Sequence, residues 1–315
     1  MTLDPGAQKV LEMVANSGLP KYEELDPVTA RTLYSKGRAV MQPDPQEVAE
    51  TRDLSAPGPA GPIPLRLYRP IGSSPDQALP VLIYYHGGGF VIGDIETHDG
   101  VCRHLANASG CAVISVHYRL APEHKFPAAV EDSFAVAQWV AGQGSALNLD
   151  TSRIAVGGDS AGGNLSTVVC LLARDAGGPK ISFQMLLYPG TDLSMSLPAQ
   201  QRLAEGYLLT KHNQRWFLDH YTRSEADKAD WRASPLRAPS LKDLPPAYIM
   251  TAGYDPVSDD GIHYGKRLKE EGVQVTMRSF DNQIHGFLTM GRIIPDSAVA
   301  LDEAGAALRE ALGRA

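Results

Sequence analysis

The pentapeptide Gly158-Asp159-Ser160-Ala161-Gly162 directly follows the apolar run Arg153-Ile154-Ala155-Val156-Gly157 and precedes Gly163-Asn164-Leu165, where a helical pattern opens. Strand, tight Gly-x-Ser-x-Gly turn and helix, in that order, put a serine at a strained turn with its hydroxyl lifted clear of a sheet. The flanking glycines serve that geometry, because close neighbours of such a turn have no room for a Cβ. With 30 glycines in 315 residues the pentapeptide is weak evidence alone. A second motif strengthens it: His86-Gly87-Gly88-Gly89 stands at the end of the apolar run Val81-Leu82-Ile83-Tyr84-Tyr85, again where a strand stops.

Apolar strand candidates at 81–85, 111–117, 153–157, 181–188, 247–252 and 273–280 alternate with helix-compatible segments. This is the βαβ rhythm of an α/β protein with a predominantly parallel sheet, and the strands that are apolar on both faces require helices on both sides. Ahead of them, 51–69 reads as hairpin or edge strands, marked by Pro57, Pro59, Pro62 and Pro64 and the alternating Leu65-Arg66-Leu67-Tyr68. Residues 1–48 read as helices, with Asp4-Pro5 and Asp26-Pro27 as cap and first helical position and Gly18 ending the first helix. The longest interruption holds a helix from Lys211 to Tyr221 capped by Thr210. Four segments are expected: N-terminal cap helices over 1–48, a first part of the core over 49–189, a cap insertion over 190–245 and the rest of the core over 246–315.

Hydrophobic residues make up 43% of the chain, enough for a large core, and the net charge of -7 comes without any cluster of Lys and Arg. Nucleic acid and anionic lipid are therefore not expected partners. Cys102, Cys111 and Cys170 show no metal-ligand spacing and read as buried thiols of a reducing compartment. With no apolar leader at Met1-Thr2-Leu3-Asp4-Pro5 and no run of about 18 apolar residues, the expected location is cytoplasmic, without membrane insertion.

A serine hydroxyl is a poor nucleophile at neutral pH, so it needs a base within reach and a carboxylate to orient that base. Chains with this kind of elbow run serine, acid, histidine. His212, His220, His263 and His285 follow Ser160, and of these His285 lies in a loop, 281–287, directly after the last strand candidate. His263 falls inside a helix pattern, and His212 and His220 belong to the insertion. Asp255 stands just past the strand at 247–251, where it can reach the histidine, although Asp255-Pro256 also reads as a helix cap. Asp259 and Asp260 read as acids of a first helical turn. The backbone N–H groups of Gly88, Gly89 and Ala161 are the candidate donors for an oxyanion, since side chains are absent from the glycine run.

Several stretches together resemble the bacterial hormone-sensitive-lipase family of esterases, in its Gly-Asp-Ser-Ala-Gly branch, from about 80 to 290. They are Tyr85-His86-Gly87-Gly88-Gly89-Phe90, Tyr118-Arg119-Leu120-Ala121-Pro122-Glu123-His124, Phe126-Pro127-Ala128-Ala129, the elbow, Tyr188-Pro189, Asp255-Pro256 and His285-Gly286-Phe287. The resemblance implies an α/β-hydrolase fold, with a mostly parallel eight-stranded sheet flanked by helices and a helical cap. It further implies a serine carboxylesterase acting on short- to medium-chain esters through an acyl-enzyme, with no cofactor and no metal. Ser160, Asp255 and His285 match the family triad, and the motif glycines match its oxyanion hole. One departure is Val257, where Leu is usual.

His86, Gly87, Asp159 and Glu123 read as structural support of the site. Tyr207, Trp216 and Phe217 are candidates for the acyl pocket, or else pack the cap. The partner expected is a small-molecule ester, with a homodimer left open. Two other functions stay in view: a non-catalytic binding protein on the same fold, like the plant gibberellin receptors that lack the histidine, and a peptidase or amidase of the superfamily. His285 argues against the first.

Overall fold

A computed structural model describes residues 2–313; Met1 of the first expected segment and residues 314–315 of the last lie outside the described residues. Two antiparallel strands come first, Glu50–Gly58 (β1) and Gly61–Arg69 (β2). β1 forms one edge of the sheet, where prolines are tolerated because the missing N–H would have no partner strand. Leu79–Tyr85 (β3), Ala112–Val116 (β4), Leu149–Asp159 (β5), Phe183–Leu187 (β6), Ala247–Tyr254 (β7) and Val275–Ile284 (β8) complete it. The order is β1-β2-β4-β3-β5-β6-β7-β8, antiparallel at β1/β2 and β2/β4 and parallel from β4 to β8.

β3, β4 and β6 are buried at every position, with Ser115 and Gln184 as buried polar residues in otherwise apolar runs of β4 and β6. The helices are Pro5–Ala15 (α1), Pro27–Met41 (α2), Asp99–Ser109 (α3), Ala128–Gln143 (α4), Ala161–Asp175 (α5), Ala199–Arg202 (α6), Lys211–Tyr221 (α7), Glu225–Ala229 (α8), Ser258–Glu270 (α9) and Asp296–Leu312 (α10). Val136 of α4, Leu165 and Val168 of α5 and Leu268 of α9 join one core with Ile83, Val156 and Ile249 of the sheet. Leu105 of α3 and Leu301 and Leu308 of α10 join a second with Leu82, Val113 and Met185. The two cores are the two faces of one sheet, since Leu82 and Ile83 alternate between them. Cys102, Cys111 and Cys170 are free and buried in these layers.

Local sequence explains the caps. Asp4 accepts the N–H of Ala7, Asp26 accepts those of Val28 and Thr29, and Thr210 and Asn213 form a reciprocal cap at α7. α1 stops at Ala15, ahead of Gly18, which then turns the chain with φ +67°. β8, the other edge strand, runs four residues past the expected stretch because it keeps pairing with β7 as far as Ile284. α6, α8 and α10 carry no signature that sequence reading picked out. No helix among the described residues is long and apolar enough to cross a membrane.

Candidate active site

Strand registers assemble the site. Tyr85 of β3 pairs with Gly158 of β5, so the loops that follow, His86-Gly87-Gly88-Gly89 and the serine turn, start side by side. A Cβ at Gly158 or at Gly162 would overlap the carbonyl oxygen of Tyr85, and this close approach is why both positions are glycine. At the other end β7 and β8 stay paired beyond a bulge, as far as Tyr254 opposite Ile284. The next residues along the two strands are Asp255 and His285.

Ser160 sits at φ 54° and ψ -115°, a conformation costing about 1–3 kcal/mol for a residue with a side chain. Its N–H donates to the carbonyl of Leu187 at 2.9 Å, which holds the turn down. Ser160 Oγ lies 2.9 Å from His285 Nε2, and His285 Nδ1 lies 2.7 Å from Asp255 Oδ2. Asp255 is fully buried, and its other oxygen accepts the N–H of Val257 at 2.9 Å. Of the two sequence readings of Asp255 the catalytic one holds and the helix cap does not: α9 begins at Ser258 with Val257 as its N-cap, so Pro256 lies ahead of the helix, and the Val257 bond only steadies the carboxylate whose other oxygen faces the imidazole. With Nδ1–H donated to the carboxylate, Nε2 is free to accept the serine proton.

The three N–H groups considered for an oxyanion, on Gly88, Gly89 and Ala161, donate to no protein acceptor among the described residues. The loop bearing them is held from below by Asp159. This carboxylate accepts from Gly87 N at 2.9 Å and Tyr84 Oη at 2.7 Å, and it lies 3.3 Å from His98 Nε2. Burial alone would raise its pKa, but the charge and hydrogen bond of His98, with those of Tyr84 and the Gly87 N–H, outweigh it and hold it at about 2. His86 is buried, stacked on Tyr118 at 4.4 Å, with Nδ1 2.8 Å from the Gly87 carbonyl. Burial, reinforced by His98 and His117, pushes its pKa well below the usual range, so it is a neutral prop. Glu123 takes a two-pronged bond from Arg31 of α2 at 2.8 and 2.6 Å, and that hydrogen bonding lowers its carboxyl to about 2. Arg31 also donates to the carbonyls of Val91 and Ala121, tying α2 to the loop beyond the glycines.

A cavity of about 990 Å³, mouth included, opens over Ser160 and His285. Its walls come from the N-terminal segment through Tyr22, Tyr34 and Arg38, and from the 190–245 segment through Leu208, Leu209, Gln214, Phe217 and Leu218. The two segments touch at the Tyr22–Phe217 ring pair, 6.5 Å between centroids, and through a hydrogen bond from Asn213 to Glu23. Of the three aromatic pocket candidates, Phe217 lines the cavity, its ring lying against Gly89. Tyr207 and Trp216 do not line it. Tyr207 packs on Tyr254 at 5.0 Å, and Trp216 stands on the flank of α7 that bears His220, 4.6 Å away. The helical period explains the split, since Asn213, Gln214, Phe217 and Leu218 share one face and Trp216 with His220 another.

Asp260 sits in the first turn of α9 as expected, and what the sequence did not indicate is that it is 1% exposed and lines the cavity. Its Oδ1 accepts the N–H groups of Thr191 and Asp192, both at 2.8 Å, while Oδ2 has no partner. Burial, with Asp192 and Asp255 nearby, pushes its pKa up to about 8. Sequence reading also missed His98, Arg31 and Arg38, none of which lies in a motif; their positions follow from tertiary contacts alone. Among the described residues no group of three His, Cys, Asp or Glu side chains is placed to hold a metal ion.

Comparison with known proteins agrees with the fold. A family profile described as alpha/beta hydrolase fold matches residues 82–289. The chain is 43% identical over 99% of its length to the carboxylic ester hydrolase LipN of Mycobacterium tuberculosis, covering 84% of that protein. It is 36% identical over 94% of its length to ethyl acetate hydrolase of Pseudomonas putida, covering 95% of it. Among solved structures, the hyperthermophilic esterase from the archaeon Pyrobaculum calidifontis superposes with a TM-score of 0.93 at 39% identity, covering 99% of this chain and 100% of that one.

Proposed function

The chain belongs to the α/β-hydrolase family and is a serine carboxylesterase, and we propose that it cleaves short- to medium-chain esters through an acyl-enzyme on Ser160. What carries the reading is the unbroken run from Ser160 Oγ through His285 to Asp255, at 2.9 and 2.7 Å, beside three uncommitted N–H groups. His285 takes the serine proton as Oγ attacks the ester carbonyl, and Asp255 orients the ring and stabilises the imidazolium. The carbonyl oxygen, now negative, is met by the N–H groups of Gly88, Gly89 and Ala161. His285 then protonates the departing alcohol, and a water activated by the same ring releases the acid. These donors are fixed in place before the reaction, so no reorganisation is needed when charge develops.

In this reading residues 1–48 and 190–245 act as a cap on a core made of 49–189 and 246–315. A walled cavity whose enclosed part holds only about 140 Å³ suits a small acyl group rather than a lipid aggregate, and the Pseudomonas putida relative is named for a short ester. The partner is a small-molecule ester, and the reading places the protein in the cytoplasm.

Ser160→Ala should lower turnover of para-nitrophenyl butyrate by about four to six orders of magnitude with the circular dichroism spectrum unchanged. An organophosphate should label the wild type once, on Ser160. An alanine variant with near wild-type rate, or an adduct mapped elsewhere, would refute the assignment.

A further inference from the structure

The cavity over Ser160 is walled on its α2 side by Arg38, whose side chain is only 9% exposed. A guanidinium presents five N–H donors and keeps its charge at any ordinary pH. Here Nη1 meets the thioether sulfur of Met41 at 3.7 Å, the group also interacts with the uncharged Tyr34 phenol, and Nε has no acceptor. No carboxylate among the described residues lies within 4.0 Å of the group. Its other neighbours are rings: it lies 4.7 Å over Tyr34 and close to Tyr22 and Tyr188. Burial pushes all three phenols up, Tyr22 to about 12, so none supplies a counter-charge near neutral pH.

The carboxyl groups of the same cavity are committed elsewhere. Asp159 serves Gly87, Tyr84 and His98, Asp192 pairs with Arg237, and Asp260 accepts from the backbone at Thr191 and Asp192. A buried cation without a counter-charge is costly to keep, and where it faces a substrate cavity the missing partner is an anion. Position favours a substrate anion. A Cβ on Gly286 would come within 3.8 Å of Arg38 Nη2, so the guanidinium stands beside the residue that follows His285.

We propose that Arg38 is an anion subsite of the catalytic cavity, and that esters carrying a second, free carboxylate are a favoured substrate class. The carboxylate takes two parallel charge-assisted hydrogen bonds from the guanidinium while the ester carbonyl lies over Ser160. The proposal rests on the esterase reading above, and its test separates the two.

Two matched substrate pairs are compared by kcat/KM. Para-nitrophenyl hydrogen adipate and para-nitrophenyl methyl adipate differ in charge on the acyl side; para-butyryloxybenzoate and para-butyryloxybenzamide differ on the alcohol side. Rates are corrected with Ser160→Ala and measured for wild type, Arg38→Met and Arg38→Lys. In at least one pair the charged-to-neutral ratio should fall about 10- to 100-fold in Arg38→Met, the size expected for charge-assisted bonds, with Arg38→Lys between the two. A ratio unchanged by Arg38→Met in both pairs overturns the subsite and leaves a structural arginine. If the variants do not fold, the wild type decides: slower turnover of the charged member in both pairs overturns it, and faster turnover in one, falling with added salt, supports it. Failure of the wild type to hydrolyse the neutral members would instead bring down the esterase reading, and this proposal with it.

Discussion

Replacing Asp260 by Asn should change how stability depends on pH, because the carboxyl is held protonated in the folded state. Its Oδ1 accepts two backbone N–H groups and its Oδ2 has no partner, so ionisation would leave a second buried negative oxygen near Asp192 and Asp255. The folded pKa of about 8 stands above the ordinary value of 3.8. Below the ordinary value both states carry the proton. Between there and about 8 only the unfolded chain gives it up, so the folded state loses about 1.4 kcal/mol per pH unit through this group. From pH 5 to pH 8, with the slope levelling near the folded pKa, the loss comes to about 4 kcal/mol. Asn keeps the accepting oxygen and does not titrate. Urea unfolding of wild type and Asp260→Asn at half-unit steps from pH 5 to pH 8 measures the difference, which cancels every other titrating group. The Asn variant should gain on the wild type by several kcal/mol towards alkaline pH. Parallel profiles would show that Asp260 is ionised in the folded protein and that its environment has been misjudged.

Asp255→Asn should reduce kcat by about 10⁴-fold, whereas Asp259→Asn, which alters only a bond to the Ala199 N–H and an exposed contact with Arg202, should change it less than threefold; equal losses in steady-state assays would remove Asp255 from its role. Phe217→Ala should move the acyl-length optimum of para-nitrophenyl esters towards longer chains, since the ring lies against Gly89 at the cavity wall. Trp216→Ala should lower the melting temperature and leave the optimum in place, and a shift in that variant instead would reverse the assignment of the two faces of α7.

How much of this was legible beforehand depended on whether a residue's role was local. Asp26 before Pro27, Thr210 three residues before Asn213 and the glycines around Ser160 act on neighbours in the chain, so sequence reading found them. His285 was found because a histidine after the last strand has few other duties. The first-turn position of Asp260 was legible but its burial was not, because an acid there is ordinarily solvated and only packing of the 191–192 backbone against α9 buries it. Arg38 in α2 and His98 in the turn before α3 escaped because nothing in the sequence around either marks the cavity or carboxylate it will meet. The aromatics of the insertion showed an amphipathic helix without showing which face met substrate, and the register of α7 against Tyr22 decided between Phe217 and Trp216.

The pairings of Tyr85 with Gly158 and of Tyr254 with Ile284 carry a consequence for how activity is lost. Nucleophile and base are 125 positions apart in the chain and meet only because four neighbouring strands, β5 to β8, hold their registers at once. No stretch of sequence shorter than that half of the sheet contains the chemistry, and sliding one of these strands by a single residue would turn its terminal side chain to the opposite face. Hydrolysis is thus a reading of the whole array, closer to a lock with several tumblers than to a detachable loop. Fragments cut between β6 and β7 would be silent apart and active only when the two halves close the sheet again.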